Sequence, residues 1–236
     1  MCGLCGVNFF SEKSTSELKD IGQKLNFNLQ HRGPDAEGYF FNHIGTNNLL
    51  FHQRLSILEI SEKGAQPMVS KNGRFIICFN GEIYNHYELR KILSKNREII
   101  WSGNSDTETL LESFSIIGIK ETIDFIEGMY AFALIDKLGC KVYLGRDLFG
   151  EKPLYYYNDK KKLIFSSEVH NVDKNLFKIN QKAIYQYLHY NYVPNSNCIY
   201  ENWKKINPGE IIVFDKNCKS SELVENFLYK LDLTKC

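Results

Sequence analysis

The chain has 236 residues, 43% of them hydrophobic and 14% aromatic, enough to bury a sizeable core within one domain. Its 29 Lys and Arg nearly balance its 28 Asp and Glu, so no basic face for nucleic acid or for a membrane surface is implied. No apolar run is long enough to span a bilayer, and the start at Met1-Cys2-Gly3-Leu4-Cys5 lacks the basic and apolar regions of a secretory leader. The chain is therefore expected to be cytoplasmic, with its seven scattered cysteines reduced.

Residues 3–10 are short, apolar and bounded, the pattern of a buried strand. Leu18, Ile21, Leu25 and Leu29 set a helical stripe on 16–30, and Ser14 with Glu17 has capping-box spacing ahead of it. Residues 74–80 predict a strand ending in Asn80-Gly81, a good hairpin-turn pair. A helix is expected over 86–94, and Ser105 with Glu108 forms a capping box opening another that runs to about Ile117. Four aromatic, β-branched runs at 129–135, 141–147, 153–157 and 162–168 are joined by short turns and predict an antiparallel meander. A further helix is expected over 181–190 and a last strand over 210–215, after which the sequence is polar and weakly patterned. No repeat or linker divides the chain, and central helices flanked by strands suggest layered sheets with helices outside.

Chemistry first suggests itself at Cys2. An initiator Met before a small residue is usually removed, which leaves Cys2 with both a thiol and a free α-amine. Their ordinary pKa values, about 8.5 and about 7.7–8.0, lie close enough for the amine to take the thiol proton near neutral pH. Gly3 lets the chain approach a substrate closely. The plainer reading is an ordinary cysteine near a chain end. Cys2 and Cys5 also spell C-x-x-C, a redox pair or half of a zinc knuckle. No second C-x-x-C and no histidine spacing supports either, and Cys5 reads better as a core residue of the first strand.

Other signals have two readings each. His31-Arg32-Gly33-Pro34-Asp35 is a helix stop with a Gly-Pro turn. Arg54, in the apolar run Arg54-Leu55-Ser56-Ile57-Leu58, needs a partner: a structural carboxylate in the first instance, or a substrate carboxylate held in a bidentate fork. Asn80-Gly81-Glu82 is a turn by sequence, yet a side-chain amide beside a glycine N–H also offers two convergent donors for an oxyanion. Losing one such donor typically costs on the order of 10²–10³ in rate. Asp106, in a first helical turn, either complements the helix dipole or faces a substrate ammonium. Arg146, Asp147 and Glu168, at strand junctions, are first assigned structural hydrogen bonds and ion pairs.

The order of these segments is more specific than any one of them. Met1-Cys2-Gly3-x-x-Gly6, HRGPD at 31–35, RLSIL at 54–58, NGEIYNH at 80–86, SDTE at 105–108, GRD-x-x-G-x-x-PLYY at 145–156 and FSSE at 165–168 together resemble the class II glutamine amidotransferases. The resemblance covers residues 2–215 and is greatest to the glutaminase domain of glutamine-hydrolysing asparagine synthetase. In the glucosamine-6-phosphate synthase and phosphoribosylpyrophosphate amidotransferase branches, the HRGPD and RLSI positions read differently.

The resemblance implies an α+β, four-layer αββα N-terminal-nucleophile hydrolase fold of two stacked antiparallel sheets. It implies Cys2 as nucleophile with its own amine as base, Asn80 and Gly81 as oxyanion hole, and Arg54 on the glutamine α-carboxylate. Asp106, with Glu82 as a second candidate, would hold the α-ammonium, and the backbone of Leu55, Ser56, Ile57 and Leu58 would line the pocket. The products would be glutamate and ammonia for ATP-dependent amidation of aspartate or another carboxylate on a synthetase domain or subunit. The alternatives are an amidotransferase subunit for sugar-acid amidation in surface polysaccharide synthesis, or a catalytically silent docking domain.

No metal or cofactor is expected in this domain. ATP and Mg belong to the synthetase domain, whose Ser-Gly-Gly-x-Asp-Ser loop does not occur here. Residues 216–236 read as a tail or the start of a linker to that domain. No nucleic-acid or membrane partner is expected, and a homodimer stays open.

Overall fold

The computed structural model describes residues 1–9, 15–42, 47–95, 97–159, 161–169, 178–194, 196–216 and 219–224. In the first strand, β1 (Gly3–Phe9), successive side chains serve opposite faces: Leu4 packs into one core cluster, Cys5 and Val7 into another. The same division holds in β3 (Asn47–Arg54), where Leu50 joins Leu4 while Leu49 and Phe51 join Cys5. Both faces are therefore covered. The outer face receives Ile21, Leu25 and Leu29 from the expected stripe, carried by α1 (Thr15–Phe27) and the turn after it. Ser14 and Phe10, at the expected helix cap and strand end, lie outside the described residues.

β1 sits inside a six-stranded sheet, which we call the first sheet. Its order is β10 (Trp203–Lys205), β8 (Tyr155–Asn158), β9 (Lys162–Ser166), β1, β3 and β2 (Ala36–Asn42). The second sheet runs β12 (Ser220–Val224), β11 (Ile211–Phe214), β7 (Lys141–Arg146), β6 (Gly128–Asp136), β5 (Phe75–Ile83) and β4 (Met68–Val69). Every pairing is antiparallel. The sheets stack through Leu4, Leu50 and Phe165 against Ile76, Cys78, Ala131, Ala133, Leu144 and Phe214. The far face of the second sheet, including Phe79 and Phe132, packs on Leu110, Leu111 and Phe114 of α3 (Asp106–Ile116) and on Ile123 of α4 (Ile119–Phe125). The layers are thus helix, sheet, sheet, helix, as expected. α2 (His86–Ser94) packs on α3, and α5 (Gln181–Tyr190) begins at Asn180, whose side chain accepts from Ala183 N–H.

Two expectations are corrected. The four runs between 129 and 168 do not form one meander: β6 pairs with β7 in the second sheet and β8 with β9 in the first. The chain changes sheet at Arg146-Asp147. There Arg146 donates to the carbonyls of Lys152 (2.8 Å), Ile206 (2.6 Å) and Gly150, and the 1%-exposed Asp147 accepts from four N–H groups, of Tyr130, Phe149, Glu151 and Lys152, at 2.9–3.3 Å. Asn80-Gly81 is not a turn either. It lies inside β5, opposite Ala131 and Tyr130, because β5 continues to Ile83.

β2, β3, β4, β10, β12 and α4 had no clear sequence signal. β3 is buried at every residue after its first, so it lacks the alternation of a half-exposed strand. β12, in the polar segment beyond Lys216, is the second sheet's outermost strand on that side.

Asp147→Ala is expected to cost about 3 kcal/mol, since one buried and three part-buried N–H groups lose their acceptor together. Urea unfolding of the two proteins measures the difference.

Candidate active site

Antiparallel to β5, β4 (Met68–Val69) reaches along it only as far as the pair Met68–Ile77. Beyond that point the outer edge of β5 has no strand partner, and side chains take the ladder's place. Phe79 N–H donates to Gln66 Oε1 (2.6 Å), Phe79 C=O accepts from His52 Nε2 (3.0 Å), and Ile83 N–H donates to Asp106 Oδ2 (2.9 Å). Gly81 lies between them, and strand alternation sends its N–H to the same edge. Its opposite number Tyr130 confirms this, because the Tyr130 peptide groups bond to Asp147 and not to Gly81. The Gly81 N–H therefore faces the open side of β5. A Cβ at Gly81 would come within 2.2 Å of Met129 O, so only glycine fits this close strand pairing. Next to it, Asn80 is 2% exposed and its Nδ2 is buried without a partner.

A cavity of about 300 Å³ opens at this edge. Its lining includes Cys2, Arg54, Leu55, Ser56, Ile57, Leu58, Asn80, Gly81, Glu82 and Asp106. These are the site residues expected from the sequence, brought from both sheets and from the start of α3. Ile57 is largely exposed and Leu58 partly so. Met1, Glu59, Gly64, Gln66, Ser105, Thr107, Met129 and Lys152 also line the cavity. No spacing signal marks Gln66 in the sequence, yet its side chain spans β5 and Thr107 Oγ1 (3.3 Å).

Cys2 hangs from the first sheet. Its Sγ accepts from Leu55 N–H at 3.4 Å and lies 3.5 Å from Leu55 O. Arg32 Nε donates to Cys2 O at 3.1 Å, and Arg32 Nη1 pairs with Glu168 at 2.5 Å. Glu168 also meets His31 Nε2 at 3.2 Å, while the preceding Ser167 accepts from Leu4 N–H through Oγ (3.0 Å). HRGPD is thus more than a helix stop. Its Asp35 accepts from Ser56 N–H (2.7 Å), and Gly33 lies so close to β3 that a Cβ would come within 2.3 Å of Gln53 C=O. The HRGPD and FSSE segments fasten the two chain stretches, around Cys2 and around Leu55, that carry one wall of the cavity.

Arg54 is buried and makes no ion pair among the described residues. Its guanidinium donates to Ser61 O at 3.0 Å and to Glu59 O, so the structural carboxylate first expected from sequence is replaced by backbone carbonyls. Glu59 is pinned in turn. Its carboxylate accepts from Asn104 N–H (2.9 Å) and from Ser61, which holds it well below the usual carboxylate range. On the far wall, Ser105 caps α3 by accepting from Glu108 N–H at 3.1 Å. The Glu108 carboxylate goes to Ser102 and Gly103 N–H instead of closing the capping box. Burial pushes the Asp106 carboxyl up, against the N–H groups of Ile83 and Thr107 that hold it down.

Arg54 and Asp106 thus line a cavity, with Lys152, Glu59 and Glu82 as its other charged residues, that also holds two open donors and a thiol. Burial raises the Cys2 thiol; Leu55 N–H, the terminal ammonium and Arg54 counter this, and Asp106 adds to it. Cys5 faces α1 in the outer cluster, away from the cavity, and the described cysteines are all free, so no C-x-x-C unit forms. Among the described residues no three His, Cys, Asp or Glu side chains converge as a metal site, and no helix is long and apolar enough to cross a membrane.

This fold and site define a class II glutamine amidotransferase domain. Residues 1–225 match the family described as "Glutamine amidotransferase domain", and the chain belongs to that family. It is 34% identical over 232 residues to "Putative asparagine synthetase [glutamine-hydrolyzing] 2" of Methanocaldococcus jannaschii, covering 90% of this chain and 44% of that protein. It is 35% identical over 213 residues to "Asparagine synthetase [glutamine-hydrolyzing] 1" of Bacillus subtilis, covering 89% and 33%. The chain thus spans less than half the length of either relative. Its fold matches that of glutamine phosphoribosylpyrophosphate amidotransferase from B. subtilis with a TM-score of 0.64 at 18% identity, over 95% of this chain and 50% of that one.

The electrostatics at Cys2 have a measurable sign. In the Met1-retaining chain, the rate of Cys2 alkylation by iodoacetamide is expected to rise with pH through a midpoint above the roughly 8.5 of a free thiol. Arg54→Ala should move that midpoint higher and Asp106→Asn lower, as read by peptide mass mapping across a pH series.

Proposed function

We propose that this chain is the glutaminase domain of an asparagine synthetase-like enzyme, with Cys2 as its nucleophile. The observation that carries the reading is the open edge of β5: an unpartnered Asn80 amide and an outward Gly81 N–H, beside the Cys2 thiol in one cavity. With Met1 removed, the α-amine of Cys2 takes the thiol proton, and Sγ attacks the side-chain amide carbon of glutamine. The carbonyl oxygen becomes an oxyanion received by Asn80 Nδ2 and Gly81 N–H. The C–N bond then breaks and the ammonium returns its proton to the leaving ammonia. Water attacks the remaining thioester, releasing glutamate and the free thiol.

Arg54 and Asp106, with Glu82 also in the lining, suit the α-carboxylate and α-ammonium of a free amino acid. An ammonium beside Asp106 would also relieve the burial that raises its carboxyl. The ammonia would go to a synthetase domain or subunit that binds ATP and Mg and amidates aspartate or another carboxylate; this domain itself uses no cofactor. The domain is taken to begin at Cys2.

The test is intact mass before and after 6-diazo-5-oxo-norleucine, a glutamine-like electrophile. A chain lacking Met1 that gains one adduct on Cys2, prevented by glutamine, is the expected result; a processed chain with no adduct, alone or with its synthetase partner, would overturn it. Cys2→Ala should abolish ammonia release with the fold intact. Asn80→Ala should lower kcat on the order of 10²-fold with KM little changed, because its donor acts on the oxyanion and not on the ground state. Steady-state glutaminase assays read both.

A further inference from the structure

The peptide group joining Phe79 to Asn80 is held from both sides. Opposite Gly81, Tyr130 is a non-hydrogen-bonded pair, so the neighbouring Asn80–Ala131 pair is the hydrogen-bonded one and Asn80 N–H belongs to the β6 ladder. The carbonyl of the same peptide points the other way, past the Met68–Ile77 pair where β4 no longer flanks β5, and there it accepts from His52 Nε2 at 3.0 Å. His52 belongs to β3 of the first sheet, is fully buried, and reaches across to the second.

The carbonyl can only accept, so the proton sits on Nε2. Nδ1 is then a bare acceptor, buried without a partner. An apolar residue would leave no such atom stranded, so the imidazole is kept here at a cost for what Nε2 does. Burial, with Arg54 adding to it, lowers the ring's pKa to about 4, so the imidazole is neutral near pH 7 and not poised for proton transfer there.

We propose that His52 is a positioning residue: by fixing the Phe79–Asn80 peptide from the facing sheet, it aims the Asn80 amide and the Gly81 N–H at the carbonyl oxygen of the substrate. This rests on the glutaminase reading and adds to it a residue that touches no substrate. Gln66, which accepts from Phe79 N–H on the same edge, is the second half of the clamp.

The experiment compares His52→Leu, which removes the donor, with His52→Gln, whose Nε2 reaches as far as the imidazole's. His52→Leu should lower kcat roughly 10- to 100-fold with KM for glutamine within about twofold, and His52→Gln should restore most of it. In an Asn80→Ala background the His52→Leu loss should shrink, because one of the two donors it aims is gone and only the Gly81 N–H remains. His52→Asn, whose amide stops one bond short, carries the same expectation should the leucine variant not fold.

An undiminished kcat, a change confined to KM, or an equal loss with and without Asn80 would overturn the proposal. A second arm does not depend on turnover. The amide ¹⁵N–¹H signals of Asn80 and Gly81 should shift in His52→Leu and return in His52→Gln; unmoved signals would also sink it. If the processed wild-type chain releases no ammonia from glutamine, the functional reading fails, and the amide signals alone then decide the role of His52.

Discussion

A buried peptide group must find a partner, and the structure turns on where β5 meets that requirement without a neighbouring strand. β4 supplies only the pairs Met68–Ile77 and Val69–Ile76, so the outward-turned peptide groups of Phe79, Gly81 and Ile83 have no strand to bond. Gln66, His52 and Asp106 converge on that edge from a loop, the facing sheet and the start of a helix. Each satisfies a group that a longer β4 would have bonded. Between them Gly81 keeps an N–H turned to the cavity, and a side chain there would collide with Met129. The site is thus a gap in a ladder whose flanks are closed by side chains.

The opposite wall depends on ties of a different kind. Cys2 precedes the first residue of β1, and Leu55 follows the last residue of β3, so both sit where strand bonding has ended. Arg32 on the Cys2 carbonyl, Glu168 on Arg32, Ser167 on Leu4 and Asp35 on Ser56 replace it. These contacts run between segments far apart in the chain. They give the short charged motifs of this chain a common physical role: each holds a stretch that carries a cavity residue.

Much of this was readable beforehand, and the exceptions share a cause. The segments 16–30, 86–94, 105–117 and 181–190 carry local helix signals, a periodic stripe in the first and a cap at Ser105 in the third, and each became a helix close to the expected limits. The ordered motifs brought the expected site residues to one cavity. What stayed hidden was decided by distant partners. Asn80-Gly81 has the local chemistry of a turn, but nine residues of β5 pair with β6 and hold it extended. The β7-to-β8 connection is short enough for a hairpin, yet Asp147 gathers so many N–H groups that the chain leaves the sheet instead. His52 and Gln66 are single polar residues in unremarkable surroundings, and their part in the site exists only once two sheets face each other.

The layer between the sheets is built of small side chains near the site, Cys78, Ala131 and Ala133, all fully buried. The thiol is suspended from one sheet and the amide donors from the other. On the proposed reading, the thickness of that layer would bear on the gap between nucleophile and donors, with the small residues acting as a shim. Close packing leaves the shim little give, so volume added there parts the sheets rather than being absorbed locally. Core positions outside the cavity would thus share in setting the distance over which the proposed chemistry is done.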